Sequence, residues 1–152
     1  MNTFNQHLGE DALPGMGPEV SQAVRTPFLK DESWFLVKGV VIEKDSEDAG
    51  NVGKETTLRA GLILTRVEQG ANAGKWVPAD HADAEASGDV LHAVILKKDV
   101  NMLSKDGVTV KDQSAVGVWA GVIDEDAVNF VDAGYRDDVV AIMNLCHFEA
   151  AV

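Results

Sequence analysis

From Ser33 onward the apolar residues come in short runs rich in Val, Ile and Leu, and glycine-containing polar stretches cut the runs apart. That pattern predicts strands rather than long helices. Residues 34–44, WFLVKGVVIEK, read as one or two buried strands, and residues 45–55, DSEDAGNVGKE, as a polar loop. Residues 56–68, TTLRAGLILTRVE, form a strand broken at Ala60-Gly61, where glycine permits a bend or bulge. After a turn, QGANAG, residues 75–80, KWVPAD, return as a short strand that Pro78 confines to an edge or a strand end.

Residues 81–89, HADAEASGD, read as a surface loop, and residues 90–103, VLHAVILKKDVNML, as the most strand-like run of the chain. A turn at Asp106-Gly107 precedes a further strand through Val116, Val118 and Ala120-Gly121, where Gly121 suggests a bend or a close backbone approach. Residues 124–134, DEDAVNFVDAG, predict a helix with an acidic first turn and a glycine stop. Residues 136–148, RDDVVAIMNLCHF, fit either helix or strand; Ala, Met and Leu in the second half and Asp137 as a cap favour helix.

The first 33 residues differ from the rest. They hold Pro14, Pro18 and Pro27 together with Gly9, Gly15 and Gly17, and their apolar residues keep no period. LPGMGPEV can neither continue a helix nor pair as a central strand. The expected organisation is therefore an extended arm over residues 1–33 and a β-rich domain over 34–152 with a C-terminal helical segment, mainly β with one or two short helices (α+β). Phe4, Leu13, Met16, Val20, Phe28 and Leu29 are too many apolar residues for a purely solvated tail, so the arm is expected to dock on something.

The chain carries 25 acidic and 13 basic residues, a net charge of −12. Nucleic-acid backbone and anionic membrane surfaces call for clustered cations, so neither is an expected partner. Cys146 is the sole cysteine, which excludes an internal disulfide, and its neighbours Leu145 and Phe148 suggest a buried structural thiol. The N-terminus has no basic region followed by an apolar core, and no apolar run reaches membrane-spanning length, so a protein made in the cytoplasm is expected.

Residues able to do chemistry are few. His81, Asp83 and Glu85 alternate and could hold a divalent cation on a strand, but their small polar neighbours favour a solvated loop. His92 and His147 sit in apolar surroundings and read as core or interface residues. Phosphate-binding glycine loops and the Gly-x-Ser-x-Gly elbow are absent. Trp34, Trp76 and Trp119 lie in or beside strands, where packing explains them. This profile favours binding or assembly over catalysis, with no cofactor and no catalytic residue expected.

Four motifs occur in order. They are Leu58, Arg59 and Gly61; Lys75, Trp76 and Pro78; Ala93, Ile95, Leu96, Asp99 and Val100; and Gly121, Val122, Asp124 and Ala127. Over residues 56–131 this resembles the head decoration proteins of tailed bacteriophages, the group typified by the capsid-stabilising protein of phage lambda. The resemblance implies a compact β-clip-like domain in which Leu58, Arg59, Gly61, Trp76, Pro78, Gly121 and Asp124 are structural. It implies a non-enzymatic homotrimer on the outer surface of the expanded capsid. There it would cement three-fold positions against internal DNA pressure, with N-terminal arms adding strands to the major capsid protein. Trp34, His92 and Trp119 are the expected contacts between copies, and deletion of residues 1–33 is expected to abolish capsid binding. The alternatives are another virion or adhesion β-module, acting at a tail, fibre or host surface, and a small metal enzyme using His81, Asp83 and Glu85.

Overall fold

The computed structural model describes residues 26–79, 92–129 and 136–150. They form a mainly β, α+β fold. Eight strands are ordered β1 (Leu29–Ile42), β2 (Thr57–Leu58), β3 (Ile63–Arg66), β4 (Trp76–Pro78), β5 (Ala93–Leu96), β6 (Val100–Asn101), β7 (Gln113–Asp124) and β8 (Cys146–Glu149). A 3-10 turn at Glu125–Ala127 and helix α1 (Arg136–Ile142) precede β8.

The main sheet runs β1-β4-β3-β5-β7-β8, and β1 also pairs with β7. That extra pairing closes five strands into a small ring. Its weakest seam is β1 to β4, where Ile42 pairs with Trp76 and the Glu43 amide donates to the Trp76 carbonyl at 3.0 Å. The β1–β7 ladder is the longest, with ten residue pairs.

Side chains alternate across each strand, so a closed ring sorts them into inside and outside. Val40, Ile42, Leu62, Leu64, Trp76, Val94 and Leu96 make the inner core. Leu58 and Met102 join them from the region of the small β2–β6 sheet, with Val100 and Ala115 packed alongside. Each fully buried Leu or Ile contributes about 1.5–3 kcal/mol. The interior is narrow: a Cβ at Gly117 would lie 2.5 Å from Val94 Cγ2.

A second core lies on the outer side. Ile63, Ile95 and Val118 meet Phe28, Leu29, Ile123, Val139 and Met143 there, so the start of β1 and helix α1 cover one side of the ring. Arg136 at the start of α1 forms an ion pair with Glu125 in the 3-10 turn. β8 continues from α1 and pairs in parallel with the end of β7.

Two predicted bends are present. Gly61 has φ +92°, and a Cβ there would lie 2.6 Å from the Ala127 carbonyl oxygen. Gly121 has φ +149° and sits against Phe35, whose Cβ would be 3.2 Å away. The expected hairpin of β3 and β4 forms, with Pro78 at the end of β4 opposite Leu64. At the Asp106-Gly107 turn, Asp106 accepts from Ser104, Val108 and Thr109, which holds its carboxyl well below the usual aspartate range.

Several expectations need correction. The folded unit takes in residues before 34. Phe28 and Leu29 are 0% and 2% exposed and anchor the outer core, so they are not free arm residues. Residues 34–42 belong to a single strand, and many of its side chains are exposed because no described residue covers its outer wall. The most strand-like run splits into β5 and β6, which belong to different sheets. The helix predicted from Asp124 is a 3-10 turn that has already returned to extended backbone at Val128. Residues 136–148 are both helix and strand. Asp137 lies inside the helix instead of capping it, and the half expected to favour helix supplies β8. His92 and His147 are exposed, not core.

Cys146 is half-buried on β8, and burial pushes its thiol up to about 11. Relative to an ordinary thiol this lowers the reactive thiolate roughly 100-fold at neutral pH. Disulfide reagents should therefore label the native protein far more slowly than the urea-unfolded one. Equal rates would contradict the burial.

Candidate functional site

Arg59 and Asp99, from two of the four ordered motifs, join Asp48 in one structural knot. Asp48 is fully buried and accepts from Arg59 Nε at 2.7 Å and Arg59 Nη2 at 3.0 Å. It also accepts from the Arg59 and Gly50 amides at 3.2 and 3.1 Å. Burial pushes the Asp48 carboxyl up, but the guanidinium and the two amides outweigh it and leave the group below its ordinary range. Asp99 accepts from the Ala60 amide at 2.7 Å. The step from Leu58 to Gly61 is thus held on both sides while Leu58 points into the inner core. Lys75 pairs with Asp112 at 2.9 Å, and Asp124 accepts from the Asp126 amide at 3.2 Å to cap the 3-10 turn.

Exposed apolar side chains concentrate on the β1–β7 ladder. Val37, Val41 and Val116 are 45%, 44% and 43% exposed. Their register positions place them around Gly39, which pairs with Val116 while Val41 pairs with Ser114. Among the described residues no atom lies within 4 Å of a Cβ built on Gly39, so they leave the wall bare at its centre. A hollow of about 340 Å³ lined by Lys97, Lys98, Ser114 and Val116 borders it.

The ladder is irregular at its other end. Leu36 pairs with Ala120 and Val37 with Val118, so Trp119 is the extra residue of a β-bulge. Asp31 pairs with Val122 and Phe35 with Gly121, which leaves Trp34 in a wider excursion of β1. Bulges redirect side chains. Trp34, 50% exposed, and Trp119 both reach solvent, whereas Trp76 is buried.

Trp119 lines a cleft at the rim of the ring with Lys38, Trp76, His92, Asn144 and Leu145, about 210 Å³ in volume. Lys38 Nζ lies 5.4 Å from the centre of the Trp76 ring. Arg66 clamps Glu68 at 3.0 and 2.7 Å, and His92 Nδ1 lies 2.9 Å from Glu68 Oε1. The Arg66 bonds and then the His92 contact hold the Glu68 carboxyl below its ordinary range despite its partial burial.

The predicted site residues therefore separate. His92 and Trp119 come together in the cleft, and Trp34 stands apart on the β1 excursion. Phe4, Leu13, Met16 and Val20, together with His81, Asp83 and Glu85, lie outside the described residues. Among the described residues no group of three or more His, Cys, Asp or Glu side chains is placed to hold a metal ion. No helix among them is long and apolar enough to cross a membrane. Sequence reasoning missed Val37, Val41, Val116 and Lys38 as surface groups. The signal was Lys38-Gly39 within the apolar run, a cation and a bare backbone position that a fully buried strand would rarely hold.

No family model matches the chain, and no curated protein or solved structure matches it either.

Proposed function

We propose that this protein is a structural capsid decoration protein: a homotrimer on the outside of an expanded phage head that cements three-fold positions. The observation that carries the reading is the uncovered apolar wall of the β1–β7 ladder. Among the described residues nothing covers Val37, Val41 and Val116 around Gly39, which leaves an apolar surface suited to another protein. The ordered motifs of residues 56–131 support the same reading, since Arg59 and Asp99 build the knot and Gly61 and Gly121 the bends of the mainly β fold. In this proposal copies meet through that wall, with Trp34 at its far end. The partner is the major capsid protein, and the place of action is the virion surface.

Arm residues Phe4, Leu13, Met16 and Val20 supply the capsid contact by strand addition. Ordering a segment costs about 1–2 kcal/mol per residue and each new hydrogen bond returns about 0.5–1.5. One arm therefore binds weakly, and three arms on one trimer gain affinity through effective concentration. The net charge of −12 suits a protein held at high concentration before assembly.

The test is a truncation beginning at Thr26, because removing Phe28 and Leu29 would damage the outer core. The truncated protein should melt with the full chain and lose sedimentation with expanded shells. Tight binding by the truncated form would overturn the arm assignment.

A further inference from the structure

We propose that the cleft at the rim of the ring is a binding site for one carboxylate-bearing pyranose, an acidic sugar unit. Three independent features point there. First, the β7 bulge takes Trp119 out of the ladder register, and together with Trp76 it lines a cleft of about 210 Å³. That is smaller than a typical pocket for a drug-sized ligand, so it fits a single ring. The C–H face of a pyranose packs against an indole as other apolar surfaces do.

Second, the rim is polar on the side facing such a ring. Lys38 and Asn144 carry donors, and with His92 Nδ1 occupied by Glu68, Nε2 is the ring nitrogen left for a ligand. Third, the charge is suited to a carboxylate. Lys38 rests over the Trp76 ring, and among the described residues no carboxylate lies within 4.0 Å of its Nζ. The net charge of −12 works against a long polyanion, which favours a short or terminal acidic unit. A purely apolar peptide side chain would make no use of the donors on Lys38, Asn144 and His92.

The experiment is titration of the full chain with glucuronate, with glucose as the neutral control. The indole N–H signals of the three tryptophans are followed by NMR. The Trp119 signal should shift saturably with glucuronate, with about tenfold weaker binding of glucose from the lost charge-assisted bond. Lys38→Gln, at an exposed position, should erase the difference between the two sugars while the melting temperature stays unchanged. Trp119→Ala should abolish both responses, and Trp34→Ala should leave them intact. Three results would overturn the proposal: no saturable shift, a shift indifferent to Lys38→Gln and Trp119→Ala, or a change of oligomeric state in Trp119→Ala, which would make Trp119 a contact between copies.

Discussion

Asp48→Ala should destabilise the protein by about 3 kcal/mol, a fall of roughly 6–12 °C in melting temperature for a chain of this size. The variant removes a carboxylate with no solvent exposure that accepts two bonds from the Arg59 guanidinium and two from backbone amides. Breaking a buried pair costs about 3–5 kcal/mol when the remaining partner stays buried. Arg59 keeps 35% of its side chain exposed and can recover some hydration, which places the cost at the lower end. The loss should spread beyond the loop, because this pair fixes the chain just before Gly61, and Gly61 sets the path into β3.

The same pair gives the protein an acid sensitivity of known sign. Asp48 has a lower pKa folded than unfolded. Its stabilisation is therefore fully present above the ordinary aspartate value of about 4 and is lost as pH falls through the lower folded value. Asp48→Asn should show a flatter decline in stability below about pH 4 than the native chain. Urea melts at several pH values would show the difference. Parallel declines would mean that Asp48 does not carry it.

Gly39→Arg should leave the monomer folded and disrupt assembly. Among the described residues a Cβ at this position meets no atom within 4 Å, so the ladder can accept a side chain there. In a trimer joined through the Val37, Val41 and Val116 wall, the guanidinium would be buried without a partner. An unpaired charge at an interface costs several kcal/mol, so association should weaken at least about 100-fold. Sedimentation velocity would report mostly monomer with an unchanged circular dichroism spectrum. A full complement of trimer would show that copies meet elsewhere.

The parts of this fold that were legible in the sequence are local. Glycine marked the bends at Gly61 and Gly121 because both hold a backbone conformation that other residues resist. Pro78 marked a strand end because it lacks a donor. Ring closure was not legible. It rests on the pairing of β1 with both β4 and β7, strands far from it in sequence, and it separates an inner face from an outer one. Without it, residues 34–44 look buried throughout, although Val37 and Val41 lie on an uncovered wall. Phe28 and Leu29 were misplaced for a similar reason. Pro27 interrupts the local pattern, while their burial comes from Ile123 and helix α1, nearly a hundred residues later. The cleft was half legible: His92 and Trp119 were singled out, but only the bulge in the ladder brings them together with Lys38.

The most direct measurement is co-sedimentation of the full chain with undecorated expanded shells of its phage, beside unexpanded procapsids. The account predicts saturable binding to expanded shells alone, in copies that are multiples of three at each three-fold position. Absence of binding to either shell would contradict the decoration role and direct the search to tail, fibre or host-surface partners.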